Sequence, residues 1–190
     1  MYKLQFATPA AWIEAVMADF DAFLLDHATA EKKASGMAMS MVSHYPDKPE
    51  LIKAMIDLAI EELSHFREVS QLIYQQGLQL VPDVKDPYVN EFRKAIRQGK
   101  EAYLLDRLLI ASIVEARGHE RFGLVAEALP EGQLKKFYTA ITRSEGRHFE
   151  LFLELAYRYV DKASVDERLE ELLAFEANIV ANLPIRAALH

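Results

Sequence analysis

The sequence predicts an all-α protein: a four-helix bundle with a long central crossover and an extra C-terminal helix. Three observations carry that prediction. Apolar residues recur at three- and four-residue spacing from end to end, every proline falls at a break or helix end, and no segment holds the two-residue alternation of a strand.

The first helix is expected to start at Thr8-Pro9, an N-cap followed by proline at the first helical position, and to run to about Val42. Trp12, Val16, Phe20, Phe23, Leu24 and Met41 line its apolar side. His44-Tyr45-Pro46-Asp47-Lys48-Pro49 is a break, and Asp47 with Glu50 is placed to cap the second helix. That helix carries Leu51, Met55, Leu58, Leu63, Phe66, Val69 and Ile73 and ends at Gly77. From Gly77 to about Gly99, with Pro82 and Pro87, the chain reads as a long connection holding one short helix around Val89 to Arg97. The third helix spans about Lys100 to Leu129, Pro130-Glu131-Gly132 turns the chain, and the fourth spans about Gln133 to Val160. Ser164 and Glu167 form a capping box for a last helix reaching about Asn182, before Pro184. Two helices, a long crossover, two helices and a C-terminal addition give the ferritin-like topology. At 190 residues the chain is expected to be one domain, residues 1–190.

Composition narrows the function. With 51% apolar and 27% charged residues, and seven each of Gly and Pro, the chain reads as soluble and globular. Met1-Tyr2-Lys3-Leu4-Gln5-Phe6 lacks a basic region followed by an apolar run, so no secretory signal is expected. The densest apolar stretch, Leu108 to Val114, is far shorter than the roughly 20 residues of a spanning helix. The expectation is a cytoplasmic protein without a membrane span. The absence of cysteine excludes disulfides, iron–sulfur clusters and thiol nucleophiles, so any metal must be held by His and carboxylates, and electrons must come from outside. The net charge of −7 argues mildly against nucleic acid, but four glutamates bound to cations would cancel at least that many charges.

Two Glu-x-x-His pairs occur, Glu62 with His65 and Glu145 with His148. Residues three apart share a helix face, so each pair can offer an oxygen and a nitrogen to one metal. One such pair alone is close to chance among six histidines, and a surface Glu beside a surface His is its bland reading. Repetition changes this. Glu31 precedes Glu62 by 31 residues and Glu115 precedes Glu145 by 30, so each half reads Glu on one helix and Glu-x-x-His on the next. That is the di-iron carboxylate arrangement, with Glu31, Glu62, His65, Glu115, Glu145 and His148 as ligands.

The neighbours support inward-facing carboxylates. Glu31 shares its face with His27, Ala34, Ser35 and Ala38, and Glu115 with Leu108, Ala111, Ser112 and Phe122. Met55, Leu58 and Val69 flank Glu62, while Ile141, Phe149 and Phe152 flank Glu145. The bland alternative is four core carboxylates satisfied by Arg or Lys. Four carboxylates and two imidazoles without sulfur suit iron or manganese better than structural zinc, and iron is the commoner occupant. His119, four residues after Glu115, is either a partner of a ligand or a satisfied structural histidine. Gly118, Gly123 and Gly146 fall inside predicted helices and either open room for a substrate or allow close helix approach. The Tyr and Phe residues near the site read as core.

The chain resembles the tRNA hydroxylase family that acts on 2-methylthio-N6-isopentenyladenosine beside the anticodon. The resemblance covers nearly the whole chain and is clearest in Glu31-Lys32-Lys33-Ala34-Ser35, Glu61-Glu62-Leu63-Ser64-His65-Phe66, residues 115–122 (Glu115-Ala116-Arg117-Gly118-His119-Glu120-Arg121-Phe122) and Ser144-Glu145-Gly146-Arg147-His148. It implies a non-haem di-iron monooxygenase that uses O2 to hydroxylate a terminal methyl of the isopentenyl group, with two electrons from a ferredoxin or flavoprotein donor. It implies the six ligand roles just named. It also implies a basic surface for tRNA, for which Lys32, Lys33, Arg117, Arg121, Lys135, Lys136, Arg143 and Arg147 are the candidates. Charges on helix surfaces are usually just solvated, which is the bland reading of each. The competing readings are a hydroxylase of a small lipophilic, quinone-like substrate, an iron-storage or ferroxidase protein, and a non-catalytic helical scaffold.

Overall fold

The computed structural model describes residues 2–190, so Met1 of the N-terminal stretch read above lies outside it. The described residues form seven helices and no strand: α1 (Ala10–Ala18), α2 (Phe20–His44), α3 (Pro49–Gln75), α4 (Pro87–Lys94), α5 (Lys100–Ala128), α6 (Gln133–Tyr159) and α7 (Lys162–Asn182). They divide into two compact units. Residues 14–84 with Arg186–Leu189 make one, and the N-terminal residues to Ile13, Lys85–Ile185 and His190 make the other.

In the first unit α3 folds back along α2. Glu31 meets His65 while Ser35, one turn later on α2, donates to the Ala59 carbonyl at 2.8 Å, a partner earlier on α3, so the helices run antiparallel. Leu51, Met55, Leu58, Val69 and Ile73 are buried, and Glu62 and His65 fall on the same stripe. Leu63 does not: it is 55% exposed, because it sits about 100° around the helix from Glu62.

In the second unit α5 and α6 pair in the same antiparallel way. Ser112 donates to the Phe149 carbonyl at 2.8 Å and His119 to the Thr142 carbonyl at 2.7 Å. α4 and α7 pack on this pair through buried charges. Arg117, fully buried, donates to both oxygens of buried Glu176 at 2.8 and 2.9 Å and to Glu120. It also reaches the N-terminal segment, at the Phe6 carbonyl (2.7 Å) and the Thr8 hydroxyl (3.1 Å). Buried Asp106 is held in turn by Arg97 and Arg168.

The helix ends depart from expectation at four places. The first helix is two, because Asp19 leaves helical geometry and its side chain accepts from Ala22 N at 3.2 Å to cap α2; short polar side chains compete with the helix for the backbone in this way. Lys48, not Asp47, is the N-cap of α3, without a side-chain bond and with Pro49 starting the helix. Asp161 caps α7 by accepting from Ser164 N, so Ser164 lies inside the helix and forms no capping box. The crossover helix starts at Pro87, two residues before the expected position, because Asp86 caps it through Tyr88 N and Val89 N.

Asp86 also receives the chain's last residue. His190 Nδ1 lies 3.0 Å from Asp86 Oδ2, and its ring stacks on Tyr88 with centroids 4.6 Å apart. Burial works against the Asp86 carboxylate, but His190 and the two backbone N–H groups outweigh it and push its pKa down to about 2. A depressed carboxylate contributes stability above its unfolded pKa, lost as the pH falls through the folded value. Asp86→Asn keeps an oxygen for the cap and loses the charge. Acid titrations of unfolding should show wild type losing about 2 kcal/mol more than the variant between pH 4 and pH 2.

Candidate metal centre

Each unit presents one buried triad. In the first, Glu31 on α2 and Glu62 with His65 on α3 are 4%, 1% and 8% exposed, with ligand atoms within 4.8 Å of one another. His65 Nδ1 lies 3.3 Å from Glu62 Oε2 and 3.6 Å from Glu31 Oε2. In the second, Glu115 on α5 and Glu145 with His148 on α6 are equally buried, and their ligand atoms also lie within 4.8 Å. His148 Nδ1 is 3.6 Å from Glu145 Oε1 and 4.0 Å from Glu115 Oε2. Both imidazoles turn the same nitrogen toward the carboxylates.

Helix geometry explains the likeness. Glu62 and His65, and likewise Glu145 and His148, are three residues apart on one face, and the antiparallel neighbour supplies a glutamate opposite. Gly118 lies against the second triad, where a Cβ would stand 3.4 Å from Glu145 Oε2, an ordinary van der Waals contact.

The contacts of these acids set them apart from the other buried carboxylates. Glu176 and Asp106 each meet arginine. Glu31 meets histidine on both sides: His27 Nε2 donates to its Oε1 at 2.6 Å, and His65 faces its Oε2. Burial disfavours the Glu31 anion, but hydrogen bonds with His27 and His65 overcome it and hold the carboxyl well below its usual range. Burial likewise disfavours the His65 imidazolium, yet bonds to Glu31 and Glu62 push its pKa up to about 10. His65 Nδ1 thus lies between two carboxylates, a position that a cation fits. The donor set, two carboxylates and one imidazole per triad with no sulfur, suits a hard, higher-coordinate iron or manganese ion.

His27 is the residue that the sequence reading left without a role. Its four-residue spacing to Glu31 is a signal for an orienting bond to a ligand, and His27 is fully buried. His119 does not perform that service for Glu115: its Nδ1 donates to the Thr142 carbonyl.

The eight candidate tRNA-contacting cations fall in different surroundings. Arg117 is fully buried in the network with Glu176, and Arg121 is 6% exposed with its guanidinium 4.9 Å over the Trp12 ring. Lys32 is paired to Asp83 at 2.6 Å and Lys33 donates to the Val84 carbonyl at 2.5 Å. Lys135 pairs with Glu131 at 2.8 Å, whereas Lys136, Arg143 and Arg147 are exposed along α6.

Over residues 2–190 the chain matches the family described as tRNA-(MS[2]IO[6]A)-hydroxylase (MiaE). The chain belongs to this family. A Pseudomonas putida protein named tRNA 2-(methylsulfanyl)-N(6)-isopentenyladenosine(37) hydroxylase is 36% identical over 173 residues, covering 91% of this chain and 84% of that protein. A Salmonella typhimurium protein of the same name is 30% identical over 155 residues, or 82% of this chain and 56% of that protein. Among solved structures, "Protein 43 with aldehyde deformylating oxygenase activity from Synechococcus" matches with a TM-score of 0.93 and 36% identity, over 98% of this chain and 93% of that one. This member of the tRNA hydroxylase family therefore has the ferritin-like all-helical fold expected from its sequence.

Groups that orient metal ligands commonly contribute 10–100-fold in metal affinity. His27→Leu should weaken Fe(II) or Co(II) uptake by that factor without unfolding the chain, as read by metal titration with the optical spectrum of bound Co(II). Unchanged affinity would reduce His27 to a packing residue.

Proposed function

We propose that this chain hydroxylates the isopentenyl side chain of 2-methylthio-N6-isopentenyladenosine in tRNA at one dinuclear iron centre. The two triads together would supply the ligands: Glu31, Glu62, His65, Glu115, Glu145 and His148. On this reading residues 1–190 act as a single ferritin-like domain. The observation that carries the proposal is the match to the hydroxylase family over residues 2–190, in a chain whose two triads are both present and buried.

When bound, the iron pair would supply the oxidising chemistry: with O2, two external electrons and two protons, one oxygen atom enters a C–H bond and the other leaves as water. The protein's own contribution is positional. Glu31 and Glu62 flank His65, with His27 fixing the Glu31 carboxylate. The apolar neighbours of the triads, among them Met55, Leu58, Val69, Ile141 and Phe152, are buried and exclude water. With no cysteine for an iron–sulfur cluster, the electrons come from a separate donor of ferredoxin or flavoprotein type.

The RNA would be met by the exposed cations of α6, Lys136, Arg143 and Arg147, and the modified base would leave its stack to reach the metal centre. Arg117 and Arg121, being interior, are left out of that surface. Among the described residues no helix is long and apolar enough to cross a membrane. A tRNA substrate places the enzyme in the cytoplasm.

The structural relative named for aldehyde deformylating oxygenase activity is also 36% identical, and it favours a second reading, a small lipophilic aldehyde as substrate. One experiment separates the two. Iron-loaded protein, a chemical reductant and O2 are incubated with tRNA lacking the hydroxyl and, separately, with a long-chain aldehyde. Nucleoside mass spectrometry should show the hypermodified adenosine gaining one oxygen with wild type and not with Glu62→Ala. Turnover of the aldehyde with untouched tRNA would reverse the assignment.

A further inference from the structure

Beside α5 and α6 lies a cavity of about 450 Å3. Tyr2 and Lys3 of the N-terminal segment wall one side, His119 the α5 side, and Arg143, Arg147 and Glu150 the α6 side. Its volume falls in the range of roughly 300–1,000 Å3 that takes small-molecule groups. Ala116, Gly146 and Phe149, each following a proposed ligand in the chain, also line it.

The charges around it are unevenly used. Lys3 and Arg143 take part in no ion pair or side-chain hydrogen bond among the described residues. Arg147, also on the lining, donates to the Arg143 carbonyl and the Ser144 hydroxyl. The Glu120 carboxylate is occupied by Thr8 N, the Thr8 hydroxyl and Arg117, so it does not cancel them. Glu150 is exposed and forms no ion pair or hydrogen bond among the described residues. Three cations and one available carboxylate suit an anion that also carries hydrogen-bond donors.

The remaining walls are rings. Tyr2 meets Phe149 edge-on with centroids 5.8 Å apart, and His119 lies 6.0 Å from the same ring. A carbonyl only accepts, so His119 Nδ1 carries the proton given to Thr142. Gly146 lets the ring lie close to α6: a Cβ there would stand 3.2 Å from His119 Nδ1, and the imidazole would have to shift by a few tenths of an ångström. The N-terminal wall is itself fixed, by Arg117 through the Phe6 carbonyl and the Thr8 hydroxyl.

We infer that this cavity seats one nucleotide of the RNA substrate, with its phosphate among Lys3, Arg143 and Arg147 and its base against the Tyr2, Phe149 and His119 rings. Glu150 accepts from a ribose hydroxyl or base amine. The inference rests on the tRNA reading above and adds a subsite to it.

The test measures binding of a fluorescent anticodon stem-loop RNA to wild type, to the Lys3→Gln, Arg143→Gln double variant and to Glu150→Gln, across a salt series. Circular dichroism and metal uptake check that the variants remain folded. The double variant should bind at least about 10-fold more weakly, and the slope of log affinity against log salt should fall by about 0.7 for one phosphate contact on a single strand. Glu150→Gln should also weaken binding, and adenosine 5′-monophosphate should compete where inorganic phosphate at equal concentration does not. If wild type binds the RNA while the double variant keeps both affinity and slope, the cavity is no subsite and the tRNA reading stands. Tighter binding by Glu150→Gln, or equal competition by phosphate alone, would replace the nucleotide with a bare anion and overturn the inference. Should wild type itself fail to bind the RNA, the tRNA reading falls and the cavity assignment with it.

Discussion

Carboxylates taken out of water must be compensated, and the layout of this protein follows from how each one is. A buried, uncompensated carboxylate costs several kcal/mol even after relaxation. Glu176 and Asp106 answer that cost with arginines, which carry their charge permanently and bind in a fork. Glu31 and Glu62 answer it with His65, a partner that can surrender its proton. The first solution makes a fixed tie between elements. The second makes a place where a metal cation could replace a proton, since an imidazole that gives up its proton can serve as a ligand. The choice of arginine or histidine beside a buried acid therefore divides the fixed ties from the candidate metal centre.

The arginine ties have consequences beyond stability. Arg117 joins α5 to α7 through Glu176 and, with its remaining N–H groups, holds Phe6 and Thr8 of the N-terminal segment. Tyr88 adds its hydroxyl to the same Glu176, which brings α4 into the network. Removing one member of such a buried network typically costs about 3–5 kcal/mol because its partner is left charged and uncompensated. That cohesion lets an N-terminal stretch without helix form a firm wall, with Tyr2 bonded to Ser112 at 2.8 Å.

The helices and both triads were legible in the sequence because one geometric rule, residues three apart on one face, links spacing to position without any long-range information. The glutamates of α2 and α5 were legible only through repetition of the pattern. What failed depends on facts that periodicity does not carry. Arg117 and Arg121 looked like surface cations, yet they lie inside because Glu176, 59 residues from Arg117, and Trp12 are brought to them by the tertiary fold. Leu63 looked like core on composition, but the stripe through Leu58, Glu62 and His65 passes it by. The break at Asp19 and the start of α7 at Asp161 turned on which of several short polar side chains took the cap, a local competition decided within about 1 kcal/mol.

The same fold at the same 36% identity carries two named activities among the relatives, one on a tRNA base and one on an aldehyde. The fold alone cannot then be what chooses the substrate. The choice falls to particular side chains. In this chain the cavity along α5 and α6 supplies side chains of that kind. Lys3, Arg143 and Arg147 on its lining would be desolvated by an alkyl chain without compensation, a cost of the sort that rejects a wrong ligand. A phosphate would satisfy them. On the proposed reading, the lining that would favour a nucleotide disfavours an aldehyde by the same charges, so specificity would be set by electrostatics beside the candidate metal centre.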